Sequence, residues 1–377
     1  MKHSSKKIAI ISINKYSTHL NYGAALHSYA FQQYLNRLGY ENIIVDYLPE
    51  FMKNYHIKYP VFNFFQHKSL RQELVWIYAL PINLRKYNKF QRFFRNHYAI
   101  TPSRYTVKKI DTLAQLNFDT YVCESDVIWK PKSTKGFDRG YFLDFDAARR
   151  VKRIAYSPSV GRDACQYADS YKEKLAHFDH ISVREQQGAM YLSELLGRDV
   201  HFVVDPTLLL RSDDYNKIAI KPKEKKYVLL YNCMINDKSM IQHATRFAKS
   251  KGLELIEISS FHRNRFSFKH KMRDDAGVEE FLGYFANAEY IVCNAFHGAC
   301  FSVIFQKEFM LFQRDKSDYR MDSLVEALGL DDAFVKTQDN NPSLELFSTK
   351  LDYNAINSKL ESLREKSYDY IINALKE

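Results

Sequence analysis

Short apolar runs alternate with amphipathic stretches along most of the chain. Lys7 to Ile13 and Asn42 to Leu48 are nearly continuous apolar runs, which is typical of parallel strands covered on both faces. Between them, apolar residues recur every three or four positions until Gly39, so a helix is predicted there. The chain therefore begins with a strand, a helix and a strand. Gly23 lies near the first turn, where open α/β sheets bind ligands.

The same alternation continues with a break in the middle of the chain. Further strands are predicted at the apolar runs 119–123, 153–157, 181–184, 201–204, 227–231, 253–258, 290–293 and 309–312. Residues 211–226 are polar and lysine-rich, which is typical of a linker. The prediction is an α/β fold of two Rossmann-like, doubly wound domains, 1–210 and 211–350, with a C-terminal helix at 351–377 that packs back on the first domain. A cleft between two such domains commonly binds substrates.

Residues 51–104 interrupt the alternation and are predicted to be a helical insertion in the N-terminal domain. They hold ten Lys and Arg against one acid, Glu73, and so carry nine of the eleven net positive charges. Thirteen aromatic residues accompany them. Two interpretations stay open: a peripheral surface for anionic lipid headgroups, or a subdomain whose aromatic residues form its own core. Nucleic acid is not expected as a partner, because no DNA- or RNA-binding motif is present.

Composition and charge narrow the class of protein. A chain of 377 residues exceeds the roughly 250–300 residues at which a single core stops growing, which favours two domains. No apolar run approaches the roughly 20 residues of a membrane-spanning helix, and the run Ile8 to Ile13 has no signal-peptide cleavage site. The five cysteines fit neither a disulfide framework nor a zinc site. A cytoplasmic protein is predicted.

The segment 290–305 holds the strongest candidate for chemistry. An apolar strand leads into Asn294, His297 and Gly298, and an apolar helix follows. The N-terminus of a helix offers N–H groups and a partial positive charge, which suit a phosphate or a carboxylate. A histidine at this place can bind an anion and move a proton, and the alternative is a purely structural histidine.

Charged and aromatic residues also follow two strands of the first domain. Arg184 ends one apolar run, and its guanidinium suits a phosphate, with a salt bridge to Glu185 as an alternative. Asp126 and Trp129 follow another run, and a carboxylate beside an aromatic ring commonly holds a sugar. A helix N-cap is the alternative for Asp126.

Several well-known catalytic motifs are missing from the sequence. It contains no Walker A motif, no GxGxxG, no HExxH and no GxSxG. ATPases, simple dehydrogenases, zincins and α/β-hydrolases therefore lack their expected marks, and no metal site is predicted. The class of reaction that remains is the transfer of a group between two bound molecules.

The order of several short motifs resembles the polysaccharide pyruvyl transferase family. The matching segments are 21–25 with Gly39-Tyr40, Ser125-Asp126 with Trp129, 155–159, 182–185, 204–206, and 294–305 with Lys307 and Phe309. They span about residues 7–330, and 51–104 is the part least covered. The chain departs from several family members at Ala295, where they have serine or arginine, and at Glu124, where they have glycine.

The resemblance implies a glycosyltransferase-B type of fold, with phosphoenolpyruvate as the donor substrate and no cofactor. The acceptor would be a sugar of a surface polysaccharide precursor, expected to be lipid-linked, and the product a pyruvate ketal. The implied roles are catalysis for His297 and Asp126, donor binding for Arg184, Asn294, Gly298, Ser302, Lys307 and Arg320, and acceptor binding for Tyr22, Gly23, Trp129 and Glu185.

Two other functions stay open at this point. One is a glycosyltransferase with a nucleotide-sugar donor, since the family fold resembles that of such enzymes. The other is a non-catalytic protein that binds a lipid-linked glycan at the inner face of the cell membrane through residues 51–104.

Overall fold

The chain folds into two compact units. The computed structural model describes residues 6–17, 19–60, 62–63, 70–233, 235–268, 270–313, 319–336 and 350–376. Unit 1 consists of Met1–Asn54, Asn96–Leu210 and Leu360–Glu377, and unit 2 consists of Tyr55–Arg95 and Arg211–Lys359. Residues 61 and 64–69 of the predicted insertion lie outside the described residues.

The helices and strands alternate along the chain. The helices are α1 Tyr22–Arg37, α2 Leu70–His97, α3 Pro131–Thr134, α4 Asp146–Arg149, α5 Ala168–Leu175, α6 Gln186–Leu196, α7 Ser212–Asn216, α8 Lys238–Ser250, α9 Asn264–Ser267, α10 Val278–Asn287, α11 Phe296–Ile304, α12 Tyr319–Leu328 and α13 Tyr353–Lys376. The strands are β1 Lys7–Ile11, β2 Glu41–Leu48, β3 Ile100–Thr106, β4 Thr120–Glu124, β5 Lys152–Tyr156, β6 His180–Val183, β7 His201–Phe202, β8 Tyr227–Asn232, β9 Glu254–Ser259, β10 Lys271–Met272, β11 Tyr290–Cys293, β12 Glu308–Phe312 and β13 Phe334–Val335.

Unit 1 is built on a parallel sheet of seven strands in the order β3-β2-β1-β4-β5-β6-β7. The central strands β1 and β4 pair in register, with Ile10 opposite Val122. Both residues are buried, as expected for strands with helices on both faces. The chain builds the sheet outward from β1 to β3 and then crosses to β4, so the strand order reverses between β1 and β4.

The C-terminal part of α13 packs within unit 1. The guanidinium of Arg364 donates to the carbonyl oxygens of Leu208 and Leu210. The hydroxyl of Tyr370 donates to the carbonyl of Ala155 at 2.8 Å, and the ring of Tyr368 stacks on Tyr34 at 4.9 Å. These contacts join the end of the chain to the turn after β7, to β5 and to α1.

Unit 2 is built on a second parallel sheet, with the strand order β10-β9-β8-β11-β12-β13. Its order reverses between β8 and β11, which pair in register with Val292 opposite Leu230. Met240 and Phe247 of α8 are buried together with these two residues in one hydrophobic cluster. The two parallel sheets confirm the predicted fold class of two Rossmann-like, doubly wound halves.

Residues 51–104 do not form one insertion in the N-terminal domain, which corrects that prediction. Tyr55–Arg95 belongs to unit 2, and β3 joins the sheet of unit 1 as an edge strand. The reason is that basic residues of this segment form ion pairs with acidic residues of unit 2. Lys89 pairs with Glu280 at 2.7 Å, Arg85 with Asp275 at 3.3 Å, and Arg92 with Glu279 at 3.3 Å, while Lys86 is buried.

No helix among the described residues is both long enough and apolar enough to cross a membrane. The 28-residue α2 contains Pro81 and several charged residues.

Candidate active site

Polar residues gather in unit 1 at the carboxyl ends of β4, β5 and β6. In open α/β sheets ligands bind at this edge, next to the place where the strand order reverses. Ser125 and Asp126, directly after β4, have φ angles of 49° and 53°, in the left-handed region that non-glycine residues rarely adopt. The N–H of Ser125 donates to the carbonyl of Tyr156 at 2.8 Å, and the N–H of Ser159 donates to the carbonyl of Asp126 at 2.8 Å. Neighbouring strands therefore hold the chain in this conformation.

A buried histidine and a buried glutamate form the base of this cluster. His27 lies in α1, and its Nδ1 is 3.0 Å from both carboxylate oxygens of Glu124. The hydroxyl of Ser28 also donates to Glu124. Burial alone would lower the pKa of His27, but the negative charges of Glu124 and Asp126 and their hydrogen bonds raise it to about 10. His27 is therefore an imidazolium at neutral pH.

A second cation approaches the cluster from β6. Nη1 of Arg184 lies 2.6 Å from Oδ2 of Asp205, and the hydroxyl of Ser125 donates to the same oxygen at 2.8 Å. Asp205 also accepts from the N–H and hydroxyl of Thr207. Nη2 of Arg184 also lies 3.7 Å from Oδ1 of Asp126, so ion pairs with Asp205 and Asp126 position its guanidinium.

Asp126 lies between the two cations. Its Oδ2 is 3.8 Å from Nε2 of His27, and its Oδ1 is 3.7 Å from Nη2 of Arg184. It is 7% exposed, whereas Glu124 is completely buried and Asp205 nearly so. Oδ1 also accepts from the N–H of Val127 at 2.8 Å, in a turn rather than at the start of a helix. The side chain of Asp126, in a fixed orientation, is thus the most accessible acidic group of this array.

In unit 2 the predicted residues lie at the corresponding edge, where β8 and β11 end. Asn294 is completely buried, its Oδ1 accepts from the N–H of Cys233 at 2.8 Å, and its Nδ2 donates to the carbonyl of Ile235 at 3.2 Å. Its amide therefore joins the two strand ends, which corrects its prediction as a donor contact. His297 is the second residue of α11, so the helix begins two residues earlier than predicted.

Gly298 and Ser302 serve the packing of α11. A Cβ atom on Gly298 would lie 2.9 Å from the Cβ of Cys293 and 3.1 Å from the ring of Tyr231. The glycine therefore lets α11 approach β11 and β8. The hydroxyl of Ser302 is buried and donates to the carbonyl of Gly298 at 2.8 Å, within the helix. Both residues are buried, so their side chains serve the packing of the helix that carries His297.

Two predicted cations of unit 2 remain partly accessible. Lys307 follows α11 and is half-buried, and burial lowers its pKa. Arg320 is the second residue of α12 and is also half-buried. Arg320 stays a candidate for binding an anion. Lys307 directly precedes β12, level with Glu289 at the amino end of β11, whereas His297 follows the carboxyl end of β11. This corrects the prediction of Lys307 as a donor contact.

The structure corrects the predicted acceptor residues. Trp129 is fully buried, its Nε1 donates to the carbonyl of Tyr141 at 3.0 Å, and its ring stacks on Phe142. It is a core residue and cannot stack on a sugar in this conformation. Glu185 is also fully buried and accepts from the hydroxyl of Ser159. Tyr22 and Gly23 are buried in the first turn of α1, which begins at Tyr22.

The sequence pattern alone did not indicate the roles of His27, Glu124 and Asp205. A signal was present, since His27 lies in an apolar helix and Glu124 ends an apolar strand. Buried charges are normally paired, so two ionisable residues of opposite sign at buried positions predict each other. Asp205 lacks such a signal, because the residue before a proline is extended whatever its chemistry. Within the described residues, no group of three or more His, Cys, Asp or Glu is arranged to hold a metal ion.

Comparisons with known proteins agree with this architecture. The sequence matches the family model of polysaccharide pyruvyl transferase over residues 21–316. No curated protein matches the sequence. One similar solved structure is a putative UDP-N-acetylglucosamine 2-epimerase from Listeria monocytogenes, with a TM-score of 0.52 and 10% identity over 96% of this chain and 91% of that chain. Another is UDP-N-acetylglucosamine 2-epimerase from Rickettsia bellii, with a TM-score of 0.51 and 11% identity over 98% of this chain and 97% of that chain. At such identities the likeness shows the fold alone.

Proposed function

The chain belongs to the polysaccharide pyruvyl transferase family, and from this premise we propose that it transfers the enolpyruvyl group of phosphoenolpyruvate to a sugar. The acceptor is a sugar of a lipid-linked surface polysaccharide precursor, and the product is a pyruvate ketal that bridges two hydroxyls of that sugar. The observation that carries this proposal for the site is the carboxylate of Asp126, which lies 3.7 Å from Arg184 and 3.8 Å from His27.

The proposed reaction has a simple balance of bonds and protons. Two sugar oxygens form bonds to C2 of phosphoenolpyruvate, and the bond from C2 to the phosphate oxygen breaks. One hydroxyl proton ends on C3, which becomes a methyl group, and the other leaves with the phosphate. Such a reaction needs a group that receives hydroxyl protons, a group that delivers a proton to C3, and cations for the phosphate and carboxylate.

Asp126 suits the first of these tasks. As a carboxylate it can accept hydrogen bonds from a sugar hydroxyl and orient the attacking oxygen. In this position it would receive the hydroxyl proton as the bond to C2 forms. The left-handed backbone at Ser125 and Asp126 supports a functional role, because strained conformations persist where the surrounding structure maintains them.

His297 suits the delivery of the proton to C3. It lies in the first turn of α11, at the positive end of the helix dipole, where an anionic donor is favoured. Arg320 is a partly accessible cation of unit 2 that we assign to the phosphate or carboxylate of the donor. We assign Arg184 to the site as well, through its hold on Asp126.

The test is formation of the ketal from labelled donor. The protein is incubated with [3-¹³C]phosphoenolpyruvate and a glycolipid extract of the source organism, and the ¹³C NMR signal of a ketal methyl group is followed. Asp126→Asn is expected to lower the initial rate about 100-fold or more, since positioned acid–base groups contribute roughly that much. Asp146→Asn, an exposed aspartate of the same unit, is the matched control and should keep the wild-type rate.

The outcome decides between the proposed function and its alternative. A ketal signal that depends on Asp126 supports pyruvyl transfer. A protein that leaves the labelled donor unchanged, but transfers sugar from a UDP-sugar to the same extract, is a glycosyltransferase, and the proposal is then wrong.

A further inference from the structure

One face of α2 is apolar and exposed over its first three turns. Leu70, Leu74, Ile77 and Tyr78 are between 49% and 71% exposed. Their spacing of i, i+4, i+7 and i+8 places them along one side of the helix. Pro81 is exposed one turn further along the same side. Most of the other long apolar side chains of α2, such as Phe90, Phe93 and Phe94, are buried.

A second element of unit 2 extends this face. Phe266 of α9 is 68% exposed, and its ring lies 5.2 Å from the ring of Tyr78. We call Leu70, Leu74, Ile77, Tyr78 and Phe266 the apolar stripe. Contiguous apolar surface of this kind, unlike a single exposed leucine, marks an interaction site.

The charges around the apolar stripe are positive. Arg85 and Arg92 continue the same side of α2 beyond Pro81, and each remains about half exposed although it pairs with an acid of unit 2. Arg263, three residues before Phe266, is exposed as well. The single acid of residues 55–95, Glu73, is buried. A helix with an apolar side that continues into a basic side suits the interface of an anionic bilayer.

We propose that the apolar stripe docks on the surface of a membrane that contains anionic lipids. The stripe enters the boundary between headgroups and acyl chains, and the exposed Arg263 beside it faces lipid phosphates. This narrows the membrane contact from residues 51–104, where the sequence suggested it, to the first half of α2 with α9. The reason is that Arg85, Lys89 and Arg92 are engaged with acids of unit 2, whereas the apolar residues are exposed. The docking does not depend on the proposed pyruvyl transfer.

The test is flotation of the full chain with vesicles. Wild-type protein is mixed with vesicles of equal parts phosphatidylcholine and phosphatidylglycerol, without donor or acceptor, and the bound fraction is measured. Leu74→Glu with Ile77→Glu should lower the partition coefficient at least about tenfold, since two apolar side chains are lost and two negative charges are added. Leu74→Gln with Ile77→Gln separates the apolar loss from the charge, and should still lower binding severalfold.

The matched control has the same charge change elsewhere on the surface. Met190→Glu with Ile220→Glu replaces two exposed apolar residues outside the apolar stripe and should bind within about twofold of wild type. Circular dichroism verifies that each variant is folded. The proposal is overturned if wild-type protein does not float, or if the stripe and control variants bind equally. It is also overturned if wild-type protein self-associates without vesicles and the stripe variants do not, because a second copy of the chain is then the occupant of the stripe.

Discussion

Five ionisable side chains of alternating sign form the centre of unit 1. Glu124, His27, Asp126, Arg184 and Asp205 follow one another, with closest separations between 2.6 and 3.8 Å. Buried charges are costly unless each has a partner of opposite sign. In this array each charge has a neighbour of opposite sign, and Asp126 is the most accessible carboxylate. The departure of Glu124 from the family pattern is thereby explained, because His27 needs a counter-charge.

The pair of His27 and Glu124 makes the stability of unit 1 depend on pH. The pKa of His27 is about 10 in the folded state and about 6.5 when unfolded. Below pH 6.5 both states are protonated and the stabilisation is complete. Between pH 6.5 and 10 the folded state binds more protons, so stability falls as pH rises. We therefore expect the difference in free energy of unfolding between wild type and His27→Gln to shrink by a few kcal/mol over this range, on the order set by linkage.

The two tryptophans allow this measurement, since Trp129 is in unit 1 and Trp76 is in unit 2. Urea unfolding is followed by the fluorescence of Trp129 in a Trp76→Phe background. Burial raises the pKa of Glu124 and His27 opposes this shift, so Glu124 contributes its own pH dependence once His27 is replaced. The variant with both His27→Gln and Glu124→Gln therefore serves as a second reference, against which the fall in wild-type stability should persist. A difference that stays constant from pH 6 to pH 10 would show that His27 does not carry the charge.

Arg184 is expected to be as important for folding as for chemistry. Arg184→Met leaves Asp205 buried without its ion-pair partner, and breaking a buried pair costs about 3–5 kcal/mol. Adding Asp205→Leu should restore most of the lost stability, since the buried carboxylate that faced Arg184 is then removed. Arg149→Met, which breaks the exposed pair with Asp144, should have little effect. A double variant as unstable as Arg184→Met would contradict this account of the array.

At the scale of elements, the turn after β4 and the start of α11 position the two candidate catalytic groups. The left-handed turn directs Asp126 toward α1 and β6, and the close packing of α11 on β11 fixes His297. Each relies on a tight backbone contact and not on a loop that can adjust.

Gly298→Ala tests the importance of this packing. The added methyl group would meet the Cβ of Cys293 at 2.9 Å, an atom that cannot move without its strand. Overpacking of this kind lowers the free energy of unfolding by about 1–3 kcal/mol. The better helix propensity of alanine offsets up to about 1 kcal/mol of this loss. Hydrogen exchange should be faster in β8, β11 and α11 of the variant.

Gly188→Ala in α6 is the matched control. Its nearest contact is the end of the Val160 side chain, which can rotate away. The control should therefore show a smaller change in exchange. Equal effects of the two substitutions would mean that the contact with Cys293 does not restrain α11.

The strands of both sheets were largely predictable, because buried parallel strands appear as apolar runs. The exceptions have physical reasons. Ile100–Thr106 is a polar edge strand that contains Pro102, and β10 and β13 have only two residues each. Edge strands and very short strands do not need a continuous apolar run.

At the scale of the whole molecule, the sequence could not reveal which unit residues 55–95 join. Their apolar and basic pattern predicts a helix, but the choice of partner depends on Asp275, Glu279 and Glu280, almost 200 positions away. The partner of Glu124 was hidden for the same reason, since His27 is 97 positions distant. Trp129 was misassigned because adjacency to Asp126 in the chain does not decide which way a side chain points.

The family and the two parallel sheets agree on a transferase. In the proposed reaction, the anionic donor is assigned to His297 and Arg320 of unit 2. The apolar stripe would hold the same chain at a membrane surface, where lipid-linked acceptors are found.

Calorimetric titration of the purified protein with phosphoenolpyruvate tests the central claim most directly. UDP-N-acetylglucosamine serves as the comparison ligand, and His297→Gln is compared with His177→Gln, an exposed histidine of unit 1. We predict saturable binding of phosphoenolpyruvate that His297→Gln weakens about tenfold and His177→Gln leaves unchanged. Saturable binding of the UDP-sugar, with no heat from phosphoenolpyruvate, would contradict the account.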